Sequence, residues 1–142
     1  MMTGGGMQVS RELDYGVRAM VVLSAHDRNV LSKRAIADKF KIPVNFLALI
    51  LPKLVRNGLV ESLPGPKGGY RLAKPASRIS MLDVIVAIED DVAFNRCLEK
   101  ISGCDMSERC PVSEVWKRLQ CDAMDYLKGV TFDSLSRGFG AV

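Results

Sequence analysis

Between residues 97 and 110 the chain reads CLEKISGCDMSERC, which sets three thiols at C-x6-C-x5-C. Thiolates are the protein ligands of zinc and of iron–sulfur clusters. A zinc knuckle brings close Cys pairs and a fourth Cys or His. The spacings here are longer, and the single histidine, His26, lies far off in the sequence. A cluster is larger than one ion, so its iron corners accept ligands set further apart on a loop. Gly103 beside Cys104 lets the backbone wrap such a group. Cys97, Cys104 and Cys110 are therefore candidate ligands of an iron–sulfur cluster. If residues 111–121 are helical, Cys121 lies roughly 16 Å along the axis from Cys110. Within one chain that is too far to share a compact cluster, and Cys121 reads as a packed helix residue. The fourth ligand would then be a group other than cysteine. A carboxylate there is a hard, weak ligand that leaves one iron corner labile. Such a corner is open to nitric oxide, oxygen or a small oxidant, which suits a sensor.

The elements that position this loop follow from the flanking patterns. With 142 residues and 48% hydrophobic content the chain is about one domain with a real core. Aromatics are few, so Leu, Val, Ile and Met fill that core and favour helices. Ser10 reads as an N-cap, with Glu12 and Asp14 in the early turn where acids are favoured. Leu13, Val17, Met20, Val21 and Leu23 then give one apolar face to about Ala25. His26 follows as an exposed loop residue. Ser32 opens a second helix with Ala35, Ile36 and Phe40 inward. Pro43 starts a third, whose inner face is Phe46, Leu47, Ile50, Leu51 and Leu54. Pro52 within it should kink the helix or remove one backbone bond, and Gly58 is a natural stop. Two short strand-like runs, LVESL and YRLAK, flank PGPKGG and predict a β-hairpin. Ser80 caps a further short helix over 80–89. After the thiol loop, Pro111 suits the first turn of a long helix. Val112, Trp116, Leu119, Ala123, Tyr126 and Val130 recur on it at a/d spacing and predict a homodimer seam. A short helix is expected from Thr131.

Helix, turn, helix and hairpin in this order outline a winged helix-turn-helix. The fold class expected is mostly α with a small β-hairpin wing, plus a long dimerisation helix. The organisation reads as a flexible tail over 1–6, a winged helix-turn-helix over 7–79 and a connecting helix over 80–96. A cysteine cluster loop over 97–110, a dimerisation helix and turn over 111–135 and a tail over 136–142 complete it.

The same outline nominates DNA contacts. Net charge is +4 and the pI about 9.0, which permits a nucleic-acid partner. The third helix would enter the major groove, with Val44, Asn45, Ala48 and Leu49 nearest the base edges: Asn45 to hydrogen-bond one, Ala48 or Leu49 to touch a thymine methyl. Ser32, Lys33 and Arg34 at the second helix start, and Lys53 and Arg56 further on, would meet phosphates. Lys67 sits at the wing tip, where Gly68 and Gly69 permit close backbone approach. The groove helix has few polar residues, so shape readout would carry a larger share. No run approaches a membrane span and the start lacks a signal-peptide pattern, so a cytoplasmic location is expected. No catalytic triad, phosphate loop or paired-acid site is present, and no enzyme is expected.

Taken together, LDYGVRAM, IADKFKIPVNFLALILPKLVRNGLVES, GPKGGYRLAKP, ISMLDVIVAIE, the three-Cys loop and the W-x2-L helix running to VTFDSL resemble the Rrf2 family of bacterial transcription regulators. The resemblance spans about Met7 to Leu135. It implies a homodimer with two winged helix-turn-helix domains and a long crossing helix. It also implies a [2Fe–2S] or [4Fe–4S] cluster on Cys97, Cys104 and Cys110. In the cluster-assembly branch of the family a histidine three residues after the third Cys completes the site; here that position is Ser113. In the nitric-oxide-sensing branch an aspartate on the first helix of the other subunit does so, and the matching residue is Asp14, with Glu12 a second candidate. Asp14 also reads as an ordinary first-turn acid. Pro64 stands where some relatives carry a basic residue before the wing, which leaves Lys67 as the wing contact.

The expected function is a dimeric regulator of a palindromic double-stranded operator, controlled by a cluster that senses nitric oxide, redox or iron–sulfur status. The alternatives are a cluster-free repressor of the same fold, controlled by thiol redox or a partner, and a small iron–sulfur electron carrier without DNA affinity.

Overall fold

The computed structural model describes residues 9–26, 29–89 and 110–139. The N-terminal tail, Cys97, Gly103 and Cys104, with the rest of the 90–109 segment, lie outside the described residues.

Helix α1 (Arg11–Ala25) begins where the sequence places it, with Ser10 Oγ accepting the Leu13 amide at 3.1 Å. It runs through the core, burying Leu13, Ala19, Met20, Val21, Val22 and Leu23. Its C-cap is His26, whose Nδ1 lies 2.8 Å from the Val22 carbonyl oxygen, so this ring is partly buried and caps the helix instead of hanging in a loop. Helix α2 (Lys33–Lys39) is capped by Ser32 Oγ on the Ala35 amide. The turn to α3 (Val44–Arg56) passes through Lys41 at φ 53°, with Pro43 as the N-cap of α3. Leu47, Ile50, Leu51 and Leu54 close the core from that side. Pro52 lies on the exposed side of α3, so the bond it removes faces water.

Strands β1 (Val60–Leu63) and β2 (Gly69–Leu72) pair antiparallel, in the register Val60 to Leu72 and Leu63 to Gly69. Leu31, just before α2, exchanges both backbone hydrogen bonds with Tyr70 at 2.7 and 2.8 Å. The hairpin is thus stitched to the start of the helix-turn-helix and cannot swing independently of it.

Helix α4 (Met81–Ile88) carries a full capping box between Ser80 and Asp83. Helix α5 (Pro111–Lys128) packs on α4. The chain then returns: the Met81 amide donates to the Val130 carbonyl at 2.8 Å and the Phe132 amide to the Ile79 carbonyl at 3.0 Å. Helix α6 (Phe132–Phe139) lies against α1 and buries Phe132 completely. The short helix expected from Thr131 therefore extends further and joins the core of the N-terminal half.

Candidate nucleic-acid interface and thiol loop

Helix α3 divides cleanly. Val44, Asn45, Ala48, Leu49, Pro52 and Arg56 form one exposed stripe, while Leu47, Ile50, Leu51 and Leu54 face the core. The four residues nominated for base edges, Val44, Asn45, Ala48 and Leu49, all lie on that stripe. Ser32 is spent as the cap of α2. Around the stripe, Lys33, Arg34, Arg56 and Lys67 make no ion pair among the described residues, which leaves their charge available to phosphates. Lys41 belongs with them. It is exposed in the turn of the helix-turn-helix, where no periodic pattern marks it as a contact.

Lys53, nominated for a phosphate, is engaged within the chain. Its Nζ pairs with Glu12 Oε1 at 3.1 Å and donates to the Ile88 carbonyl at 3.2 Å. It ties α3 to the first turn of α1 and to the last turn of α4. On the helix, position 53 falls between the exposed Leu49 and the buried Ile50, at the edge of the packed face; a one-letter code cannot tell a strut from a surface cation.

The wing glycines also have another reason. A Cβ on Gly68 would sit 2.0 Å from the Leu63 carbonyl oxygen, and one on Gly69, at φ 153°, 2.3 Å from the Leu31 carbonyl oxygen. Their bareness is demanded by the protein's own backbone. Lys67 remains exposed at the tip.

At the thiol segment, Cys110 is the N-cap of α5, half-exposed and not engaged as a cap by its side chain. Ser113 Oγ donates to the Cys110 carbonyl at 2.9 Å. No group of three or more His, Cys, Asp or Glu side chains converges among the described residues, which hold only one of the three loop thiols. Asp14 is exposed on α1 and pairs with Arg18 at 2.9 Å. Arg18 in turn lies over the rings of Tyr15 and Phe40, 5.3 Å from each centroid. Cys121, expected as a packed helix residue, is exposed on α5 near Glu114, Lys117 and Arg118.

The seam residues of α5 split into two stripes. Val112, Leu119 and Tyr126 are exposed, Tyr126 at 72%. Trp116 and Ala123 are half-covered on the side that packs against the chain's own body, and Val130 lies beyond the helix, its carbonyl bonded to Met81. Val115, at 61% exposure, joins the outward stripe. It stands three residues after Val112 and four before Leu119, so an alternative heptad frame would have found it.

A two-helix reader with an exposed outer stripe, backed by a stitched hairpin and ringed by unpaired cations, defines a winged helix-turn-helix DNA-binding protein. A family model described as Rrf2, iron-dependent transcriptional regulator, matches residues 9–138. The chain belongs to the Rrf2 family of transcriptional regulators. It is 32% identical over 130 residues to the HTH-type transcriptional regulator IscR of Pectobacterium carotovorum subsp. carotovorum, covering 91% of this chain and 79% of that one. Among solved structures it is similar to T. potens IscR, with a TM-score of 0.75 and 27% identity, covering 94% of this chain and 89% of that one. It is also similar to the oxidized form of Staphylococcus aureus CymR, with a TM-score of 0.71 and 26% identity, covering 92% and 96%. No helix among the described residues is long and apolar enough to cross a membrane.

Proposed function

We propose that this chain works as a homodimeric transcription regulator whose hold on a palindromic operator is set by an iron–sulfur cluster on Cys97, Cys104 and Cys110. The observation that carries this reading is where the thiol segment is anchored. On its entry side, Lys53 of the groove helix holds the Ile88 carbonyl, and Ser10 Oγ donates to Glu89 Oε1 at 2.7 Å. On its exit side, Cys110 begins α5, the helix with the exposed apolar stripe. A change in the segment therefore pulls on the groove helix, on α1 and on the dimer helix. A coupling of about 1–3 kcal/mol between the two sites is enough for a switch.

The residues suit the group. Three sulfur donors are the ligand set of iron clusters rather than of hard cations. Cys110 offers a free thiol at a helix N-terminus, where backbone amides favour negative charge. Asp14 of the partner subunit is the proposed fourth ligand. Its bond to Arg18 is an exposed pair four residues apart on one helix, of a kind that contributes about 0.3–0.5 kcal/mol and is easily given up. When bound, the cluster supplies a centre that oxidants or nitric oxide modify; the protein's part is to hold the entry end of the segment against the groove helix and α1 and its exit end at the start of α5.

The test is iron and sulfide content and the visible spectrum of protein purified without oxygen, followed by DNA binding of the holo-protein, the apo-protein and Cys104→Ala. Equal binding of one palindromic site by all three refutes cluster control. A second reading, thiol-redox control without a cluster, is supported by the likeness to the oxidized form of Staphylococcus aureus CymR and by the exposed thiol of Cys121. Colourless, iron-free anaerobic protein would favour it. An electron carrier has no use for an exposed groove stripe ringed by cations.

A further inference from the structure

The outer stripe of α3 is unusual for a surface meant to meet base edges. Val44, Ala48, Leu49 and Pro52 are apolar, Leu49 is 58% exposed and Val44 40% exposed. Asn45 is the one amide, and Arg56 stands at the far C-terminal end, more than two turns from the reading end. Guanine is most often read by Arg or Lys bidentate to O6 and N7, and cytosine by an acidic acceptor. The reading end of α3 carries neither. What it carries matches A·T pairs: an amide for the N6 and N7 of adenine, and three exposed hydrocarbon side chains for the one hydrocarbon group in the major groove, the thymine 5-methyl.

Resting on the reading of α3 as the groove helix, we propose that Leu49, with Val44 and Ala48, selects the operator by packing on thymine methyl groups, and that Asn45 reads the adenine of a neighbouring pair. Charge complementarity places the duplex on this face. Arg34, Lys41 and Arg56 surround the stripe and have no acidic partner among the described residues. The apolar side chains are therefore delivered to a polyanion, where the methyl is the only group they can match. A second protein surface would meet the same ring of cations first.

The experiment starts from duplexes enriched out of a random pool by the full-length protein. Each thymine of the bound half-site is then replaced by deoxyuridine, which removes only the 5-methyl. Loss of about fourfold in affinity per contacted methyl is expected, the worth of burying one such group. In Leu49→Ala, which alters an exposed residue and should leave the circular dichroism unchanged, at least one of those thymines should become indifferent to deoxyuridine. Binding that tolerates deoxyuridine throughout, or a deoxyuridine penalty of the same size in Leu49→Ala, overturns the inference while leaving DNA binding intact. So does Leu49→Ala shifting the oligomeric state in sedimentation instead of the methyl dependence. If no duplex is enriched at all, the groove-helix reading falls and this inference with it.

Discussion

At the scale of single residues, Lys53 shows how one cation differs from its neighbours. Lys53→Met removes its pair with Glu12 and its bond to the Ile88 carbonyl, and a part-buried pair of this kind is worth about 1 kcal/mol. Denaturant melts should show that loss. The salt dependence of DNA binding should keep its slope in this variant, whereas Arg56→Ala should reduce the slope by about 1 if, as proposed, Arg56 meets a phosphate. If both variants change the slope alike, Lys53 reaches the DNA. Asp133 carries a second prediction. Its carboxyl is held below the ordinary aspartate range, first by the hydrogen bond from Thr131 Oγ1, then by the Ser134 amide and Arg137 and against partial burial. A depressed folded-state pKa stabilises above the unfolded value of 3.8, and that contribution is lost as pH falls through the folded value. In an NMR titration, Thr131→Val should move the Asp133 midpoint up toward 3.8.

At the scale of elements, the close approaches are made by glycine. Gly69→Ala forces a Cβ against the Leu31 carbonyl in a backbone conformation that suits glycine. It should cost about 2 kcal/mol or more and loosen the wing, measurable as faster amide exchange at Leu31 and Tyr70. Gly16 lets α1 and α4 meet: its added Cβ would lie 2.0 Å from Ile88 Cδ1 and 3.5 Å from Ile50 Cγ2. Gly16→Ala gains helix propensity of about 1 kcal/mol but overpacks a filled core at about 1–3 kcal/mol, so a net loss is expected. Ile88→Val removes the offending Cδ1, and the double variant should be more stable than the sum of the two single changes. Strict additivity would mean that Ile88 moves aside freely. How much of these elements was legible in the sequence varies with the signal. Ser10, Ser32 and Ser80 were readable as caps because a hydroxyl before an apolar-periodic run has one common use. The glycines of the wing were readable as special, but not for which neighbour, since the carbonyl of Leu31 is remote in sequence.

At the scale of the whole molecule, the outward stripe of Val112, Val115, Leu119 and Tyr126 is the face on which the proposed dimer is tested. Leu119→Asp places a charge in its middle. Sedimentation should show monomer, and affinity for a two-half-site duplex should fall by about 100-fold, because the second half-site is no longer tethered. A variant that remains dimeric would place the interface elsewhere. The anchoring of α6 on α1 has a consequence at this scale too. Because Phe132 is buried in the N-terminal core and the Val130 carbonyl is bonded to the Met81 amide, the C-terminal end of α5 is tied to that core. Motion of α5 is thus transmitted at that end.

Local rules and spacing alone determined the order of helices, the hairpin and the exposed stripe of the third helix, and nominated the three thiols as candidate ligands, because each rests on a period or a turn within a few neighbouring residues. Tertiary structure alone decided that Lys53 is held within the chain, which half of the α5 heptad is covered by the chain's own body, and that the last helix packs on the first. Those outcomes depend on side chains far apart in sequence competing for the same space, and pairwise distances of that kind leave no mark on local periodicity.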